Sequence, residues 1–293
     1  MLLILLLTIL AGLLLFFFFY KGYKNTQDIV INHVSIDNAI TSEQTNKIRL
    51  LQISDMHLEN ISISPAKLYD RLQNHSIDLI ALTGDFLDRK RSIPRLIPYL
   101  KVLNELNPKY GIYAVFGNHD YVLSHPNFNK LKQTLDEFGC KTMQNQNDTI
   151  MINGKRVNII GIDDFSTKRS DIFKSYYGLE KGYNLVLTHD PNIVLDMKDF
   201  SFDYLLSGHF HGGQIHWPKP YHLVKMGKLI KMKMVKGLHH FNGKPFYISE
   251  GLGQTGINIR VGSRPEITIH DLTLETISEK HIVELEQEAE PAV

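Results

Sequence analysis

Seven residues in this chain have the types and order of metal ligands: Asp55, His57, Asp85, Asn118, His189, His209 and His211. Together they offer two carboxylates, four imidazoles and one side-chain amide. That set is too large for one ordinary metal ion and suits two ions bridged by a carboxylate. Its mixed nitrogen and oxygen donors favour Mn, Fe, Zn or Co over a pure Mg or Ca site. Two such ions about 3.5–4 Å apart can hold a hydroxide between them, lower its pKa and clamp the oxygens of a phosphoryl group during in-line attack. His216, His222, His239, His240 and His270 fall outside the pattern and are read as structural.

Each ligand motif closely follows a short apolar run. Residues 48–53 (IRLLQI) lead to Asp55 and His57, residues 79–83 to Gly84-Asp85, and residues 112–116 to Gly117-Asn118-His119. Residues 185–188 lead to His189, and residues 204–207 to Gly208-His209-Phe210-His211. Further strand-like runs lie at 157–162, 246–249 and 267–272, and helical spacing at 65–74, 93–106 and 128–138. Short apolar runs alternating with helices imply an α/β domain with its sheets covered on both faces. The strand-rich later half points to mixed or partly antiparallel pairing. Sites in open α/β sheets collect at the carboxyl ends of the strands, so five loops are expected to converge on one point. Gly84, Gly117 and Gly208 each immediately precede a ligand. A residue without Cβ lets the chain turn sharply off a strand and lets neighbouring loops crowd together.

The motifs in order are Asp55-Met56-His57, Gly84-Asp85-Phe86-Leu87-Asp88, Gly117-Asn118-His119-Asp120, His189 and Gly208-His209-Phe210-His211. This series resembles the calcineurin-like metallophosphoesterase superfamily over residues 49–272. The resemblance implies a sandwich of two mixed β-sheets flanked by helices and a phosphoesterase using two divalent ions. It assigns one ion to Asp55, His57, Asp85 and His211, and the other to Asp85, Asn118, His189 and His209, with Asp85 bridging. It makes His119 the group that contacts the phosphate, with Asn118, and protonates the leaving oxygen, and makes Asp88 the group that orients His119. Arg89 occupies a phosphate-binding position of protein phosphatases, but Lys90 replaces the glycine that follows it there. The stretch 209–214 (HFHGGQ) resembles a bacterial membrane-associated subgroup, the YaeI/YkuE-like phosphodiesterases, with Phe210 where threonine is usual. Residues 251–266 resemble the end of that subgroup's domain, and Arg260 within them is a candidate phosphate-binding or structural arginine. Relatives acting on UDP-2,3-diacylglucosamine make a lipid- or nucleotide-linked phosphate ester a candidate substrate. A membrane-tethered scaffold without turnover and a protein phosphatase are the alternatives.

Residues 1–20 carry no charged side chain. About 20 apolar residues span a bilayer as a helix, so this stretch is expected to be an uncleaved single-pass anchor. Lys21 and Lys24 follow it and point to a cytoplasmic catalytic domain. Residues 21–47 are read as a linker with a leading strand, its polar part at 22–28, followed by a catalytic domain at 48–274 and a Glu-rich solvated tail at 275–293. The segment 221–240 holds five lysines among Leu, Val, Ile and Met, and no acid. It reads as a surface hairpin or helix, or as a basic flap that meets anionic lipid head groups. A net charge of +1 gives no bulk attraction for nucleic acid, and the lone Cys140 excludes an intramolecular disulfide.

Overall fold

The motifs need a scaffold that ends several strands at one edge, and a computed structural model supplies it. It describes residues 1–36, 47–216, 219, 220, 223 and 225–274. The elements run α1 (Leu2–Asn25), β1 (Val30–Ile36), β2 (Lys47–Ile53), α2 (Pro65–Leu72), β3 (Leu79–Thr83), α3 (Ile93–Glu105), β4 (Ile112–Val115), α4 (His125–Glu137), β5 (Cys140–Thr142), β6 (Gln146–Ile152), β7 (Lys155–Gly161), α5 (Ile172–Ser175), β8 (Tyr183–Leu187), β9 (Tyr204–Ser207), α6 (Lys228–Lys231), β10 (Gly237–Phe241), β11 (Lys244–Ile248) and β12 (Glu266–Thr273).

Among the described residues the strands form two six-stranded sheets, ordered β1-β12-β2-β3-β4-β5 and β10-β11-β9-β8-β7-β6. Strands β2 to β5 are mutually parallel, and β7, β8, β9 and β11 likewise. The chain direction reverses at β12 against β2, at β6 against β7 and at β10 against β11. The sheets are therefore mixed, as the strand-rich second half implied.

Side-chain alternation along the strands sorts the core into three layers. Leu50, Ala81, Val115, Leu185 and Leu206 face the space between the sheets. Their neighbours Leu51, Ile80, Leu82 and Ala114 face outward under Leu68, Leu100 and Leu131 of α2, α3 and α4. On the other side Ile160, Val186 and Leu205 pack with Leu229 of α6. Gln52 joins the sheets at the carboxyl edge, donating to Thr83 Oγ1 at 3.0 Å and to the Ser207 carbonyl at 2.9 Å.

Two local readings change. The N-terminal helix continues through Asn25 instead of giving way to a polar linker at residue 22. Its last turn is docked on the domain, which favours continued helix there. Strands β1, β5, β6 and β10 were not marked by apolar runs. Of the basic segment 221–240, residues 221, 222 and 224 lie outside the described residues, and much of the rest forms α6 and β10. The acidic tail 275–293 also lies outside them.

Candidate metal centre

The loop after β2 is zipped to the loop after β3 by backbone hydrogen bonds. Asp55 N donates to Gly84 O at 2.9 Å, His57 N to Asp85 O at 3.1 Å, and Leu58 N to Phe86 O at 3.0 Å. Asp55, His57, Asp85, His209 and His211 all have left-handed backbone conformations, with φ of 50°, 39°, 56°, 76° and 51°. Such conformations are uncommon for residues with a Cβ and cluster at functional sites.

Two glycines show why the loops can approach so closely. A Cβ on Gly117 would lie 2.2 Å from Asp85 Oδ1, and one on Gly208 would lie 2.0 Å from Ser54 Oγ and 2.2 Å from Asp55 Oδ2. Neither position has room for a methyl group beside a candidate ligand.

The side chains meet in two buried groups. Asp55, His57 and His211 bring their ligand atoms within 4.8 Å of one another, and Asp85, His189 and His209 do the same. Asp85 links the groups, with Oδ2 3.0 Å from His189 Nε2 and 3.5 Å from His57 Nε2. His211 Nε2 lies 3.1 Å from His57 Nε2 and 3.3 Å from Asp55 Oδ1. His209 Nδ1 lies 3.3 Å from His189 Nε2. Asn118 Oδ1 is buried with no hydrogen-bond partner. Asn118 lines the same cleft as Asp85, His209 and His211, and an orphaned buried acceptor there fits a nearby cation, because buried polar atoms otherwise find partners. Six of the seven candidate ligands thus form two neighbouring groups, each compatible with a divalent ion, with Asp85 between them.

Protonation follows from burial and neighbours. Burial works against ionised Asp85, but the His189, His57 and His119 imidazoles hold its carboxyl well below the usual carboxylate range. Burial lowers His209, and burial with the nearby His57 and Arg260 lowers His211 further, so both rings stay neutral and keep a lone pair. His189 Nδ1 faces the Thr83 carbonyl at 2.7 Å. That carbonyl accepts a proton only from Nδ1–H, which leaves Nε2 directed at Asp85.

His119 and Asp88 stand at the open side, about one-third exposed. His119 Nδ1 is 3.5 Å from Asp88 Oδ2. Burial opposes a charged His119 ring, but Asp88 and Asp85 outweigh it and push it up to about 9. Asp88 also lies 3.4 Å from His57 Nδ1, so it steers a candidate ligand as well as His119. Hydrogen bonds from both rings hold its carboxyl well below the ordinary range.

Arg260 is a correction. It is fully buried, and its guanidinium donates to the carbonyls of Arg264 at 2.8 Å, Glu250 and Gly251 at 2.9 Å each, and Gly253 at 2.6 Å. With its donors spent on backbone it cannot contact a phosphate. It instead clamps the 250–253 turn, from which Leu252 N and Gly253 N donate to the carbonyls of Ser54 and Asp55.

Asp120, the last residue of the Gly117-Asn118-His119-Asp120 motif, is buried, and its side chain has a definite task. It accepts from the N–H groups of Asp85, Phe86 and Gly117 at 2.9 Å and of Leu87 at 3.3 Å. Burial and the Asp85 charge push the Asp120 pKa up, while these donors favour its ionised form. Glu59, which sequence reasoning missed, accepts from Asp88 N at 3.2 Å and Arg89 N at 3.0 Å and so places the Asp88 loop. Its only signal was a carboxylate two residues after His57.

The centre opens into a cleft of about 80 Å³ lined by His119, His211, Gln214, Leu223 and Thr255. A second cavity of about 600 Å³ touches His209 and is walled by Phe165, Leu195, Met226, Lys168, Lys225 and Lys228.

Comparison with known proteins agrees with this geometry. Residues 48–213 match the family model described as calcineurin-like phosphoesterase. The chain is 62% identical to the metallophosphoesterase YkoQ of Bacillus subtilis over 253 residues, covering 86% of this chain and 94% of that one. It is 28% identical to the UDP-2,3-diacylglucosamine pyrophosphatase LpxG of Chlamydia muridarum, over 76% of this chain and 82% of that one. It is 29% identical to the phosphodiesterase YaeI of Escherichia coli, over 67% and 70%.

Proposed function

The chain belongs to the calcineurin-like phosphoesterase family, hydrolases acting on phosphoester bonds, and we propose that it is a membrane-anchored phosphodiesterase with two divalent ions. The observation that carries this reading is the placement of Asp85 Oδ2 within 3.0 Å of His189 Nε2 and 3.5 Å of His57 Nε2, one carboxylate oxygen shared by two ligand groups. Mn, Fe or Zn suits the donor set.

When bound, the ions neutralise phosphate charge and lower the pKa of the attacking water. Asp55, His57, Asp85 and His211 would hold one ion, and Asp85, Asn118, His189 and His209 the other. His119, cationic beside Asp88, contacts the phosphate and delivers a proton to the leaving oxygen. Asp88 holds that ring in place and resists protonation itself. The Asn118 amide adds a phosphate contact at the cleft wall.

The substrate proposed is a phosphodiester or diphosphate, lipid- or nucleotide-linked. The UDP-2,3-diacylglucosamine activity in LpxG's name supports that class. Anchoring rests on α1, which is 24 residues long and has a mean hydropathy of 3.1 over its most apolar window. Lys21 and Lys24 at its C-terminal end favour a cytoplasmic catalytic domain.

The test uses the full chain in detergent with Mn²⁺, comparing bis(p-nitrophenyl) phosphate with p-nitrophenyl phosphate. Metal-dependent hydrolysis, faster on the diester and lost in Asp85→Asn, is expected. Metal bound without hydrolysis of either ester would leave a binding scaffold and overturn the proposal.

A further inference from the structure

We propose that the N-terminal helix is a fixed part of the catalytic domain that holds the mouth of the metal centre at the membrane surface, so that the substrate is a phosphoester resident in the bilayer. This rests on the phosphoesterase reading and names its substrate class.

The helix is not joined by a swivel. Gly22 is the buried residue of α1, and a Cβ there would lie 3.0 Å from Ile259 Cβ. The backbone N–H of Arg260 donates to the Gly22 carbonyl at 2.9 Å, and Asn25 Nδ2 donates to the Arg260 carbonyl at 2.7 Å. Four residues then separate Asn25 from β1, and three of them are held by the domain. Thr26 is buried and donates to Ser62 Oγ at 2.7 Å. Lys67 and Arg71 of α2 donate to the carbonyls of Gln27 and Ile29. Each bond contributes little alone, but together they exclude free rotation about the junction.

The segment that receives the helix also forms the lip of the metal centre. Thr255 lines the cleft with His119 and His211. Gln214, three residues after His211, donates to the carbonyls of Thr255 at 2.9 Å and Ile257 at 3.0 Å, and accepts from Thr255 N at 2.9 Å. Val261 N donates to the Gln214 carbonyl at 2.8 Å. Ile259 lies four residues after Thr255, a span of at most about 14 Å even if fully extended.

Depth follows from the helix itself. An uncharged stretch of about 20 residues rises roughly 30 Å, the thickness of the hydrocarbon core. This places Tyr20, Lys21, Tyr23 and Lys24 in the interfacial layer, where aromatic and basic residues settle. Gly22 lies among them and touches Ile259, so the 255–261 lip is at head-group level. Ile257 on that lip is 60% exposed, an apolar side chain two residues before the Ile259 that Gly22 meets. A lipid head group can thus reach the cleft while its acyl chains stay in the membrane.

The full chain is reconstituted in phosphatidylcholine vesicles carrying the p-nitrophenyl ester of dioleoylphosphatidic acid. Water adds to phosphorus, the P–O(aryl) bond breaks, p-nitrophenolate leaves and dioleoylphosphatidate remains. The double variant Gly22→Leu/Asn25→Leu keeps the anchor and its apolar length but undocks it. It should lose about tenfold or more on the vesicle ester, since misplacement is costly even without loss of a catalytic group. On bis(p-nitrophenyl) phosphate in solution it should match the parent. Equal rates on the vesicle ester, or a parent that cleaves only the soluble diester, would overturn the inference. No cleavage of the soluble diester by the metal-loaded parent would instead overturn the phosphoesterase reading.

An independent measurement covers a variant that misfolds. A nitrobenzoxadiazole label on Ile257→Cys, in a Cys140→Ser background, should shift to the blue on reconstitution. The same label at Met151, beside the β6–β7 turn at the opposite pole of the parallel strands, should not. No shift at 257 would refute the placement.

Discussion

Replacing Asp120 with alanine should loosen the metal centre while leaving every candidate ligand in place. Its carboxylate receives four buried N–H groups, three at 2.9 Å and one at 3.3 Å. Asp85 is the proposed bridging ligand, Phe86 and Leu87 lead to Asp88, and Gly117 precedes Asn118, so one side chain ties two candidate ligand loops together. A buried donor left unpaired costs about 1–3 kcal/mol. Water entering the vacated space would satisfy some of the four, and the 3.3 Å bond counts for less, so the expected loss is about 3–5 kcal/mol. In a domain of this size that lowers Tm by about 10 °C. Loss of a group that supports a ligand typically weakens metal binding by about 10–100-fold. Asp120→Asn keeps one acceptor oxygen and turns an amide NH₂ toward the other donors, and should fall between. The assay is a metal titration followed by melting of metal-free and metal-loaded protein in detergent. If Asp120→Ala binds metal like the parent and its metal-free Tm moves by less than about 2 °C, Asp120 is not the tie between these loops.

Gly117→Ala should be worse than its one methyl group suggests. Its Cβ would fall 2.2 Å from Asp85 Oδ1, so metal content by elemental analysis should drop and diester hydrolysis fall by about 100-fold or more; full metal occupancy with normal turnover would refute the crowding argument. Asp88→Asn removes the negative partner of His119 and should lower kcat by about 10–100-fold with metal content intact, and a matching loss of metal would show that its contact to His57 dominates. His270 is buried between the sheets, facing Gln52 Oε1 at 3.1 Å and Tyr204 OH at 3.0 Å, and burial pushes its pKa down to about 3. Below its unfolded value of about 6.5 the unfolded chain binds a proton that the folded chain refuses, so stability falls with pH by about 1.4 kcal/mol at pH 5.5. In EDTA, urea midpoints at pH 7.5 and 5.5 should show that extra loss in the parent and not in His270→Gln; equal losses would refute it.

What could be read in advance follows physical lines. Strands β3 and β9 are buried at every position, so their apolar runs mark them end to end. Strands β1 and β6 lie at sheet edges, share a half-exposed burial pattern and carry Asn, His or Asp. An edge strand with one wet face has no apolar run to detect. The seven candidate ligands were legible because chemistry dictates residue type and the strand–loop rhythm dictates order. Asp120 was visible as a letter in its motif, but its task exists only once the loops after β3 and β4 lie side by side. Arg260 could be read in advance only as phosphate-binding or structural, and the four carbonyls that occupy its guanidinium in the fold decide for structure.

The same contrast runs through the candidate metal centre. Its apolar strands obey local rules, whereas Asp55, His57, Asp85, His209 and His211 break them by adopting positive φ. Strain of about 1–3 kcal/mol per such residue persists only where surroundings over-determine the conformation. Here the surroundings are few and nameable: Asp120 on two loops, Gln52 across the sheets, and Arg260 on the turn that grips Ser54 and Asp55. Arg260 is also the residue whose backbone holds Gly22 and Asn25 of α1. One arginine therefore ties the helix end to the ligand loop, its main chain binding the helix and its side chain the turn behind Asp55. That residue fixes where the helix end stands relative to the candidate metal centre, so the anchor sets the site's address.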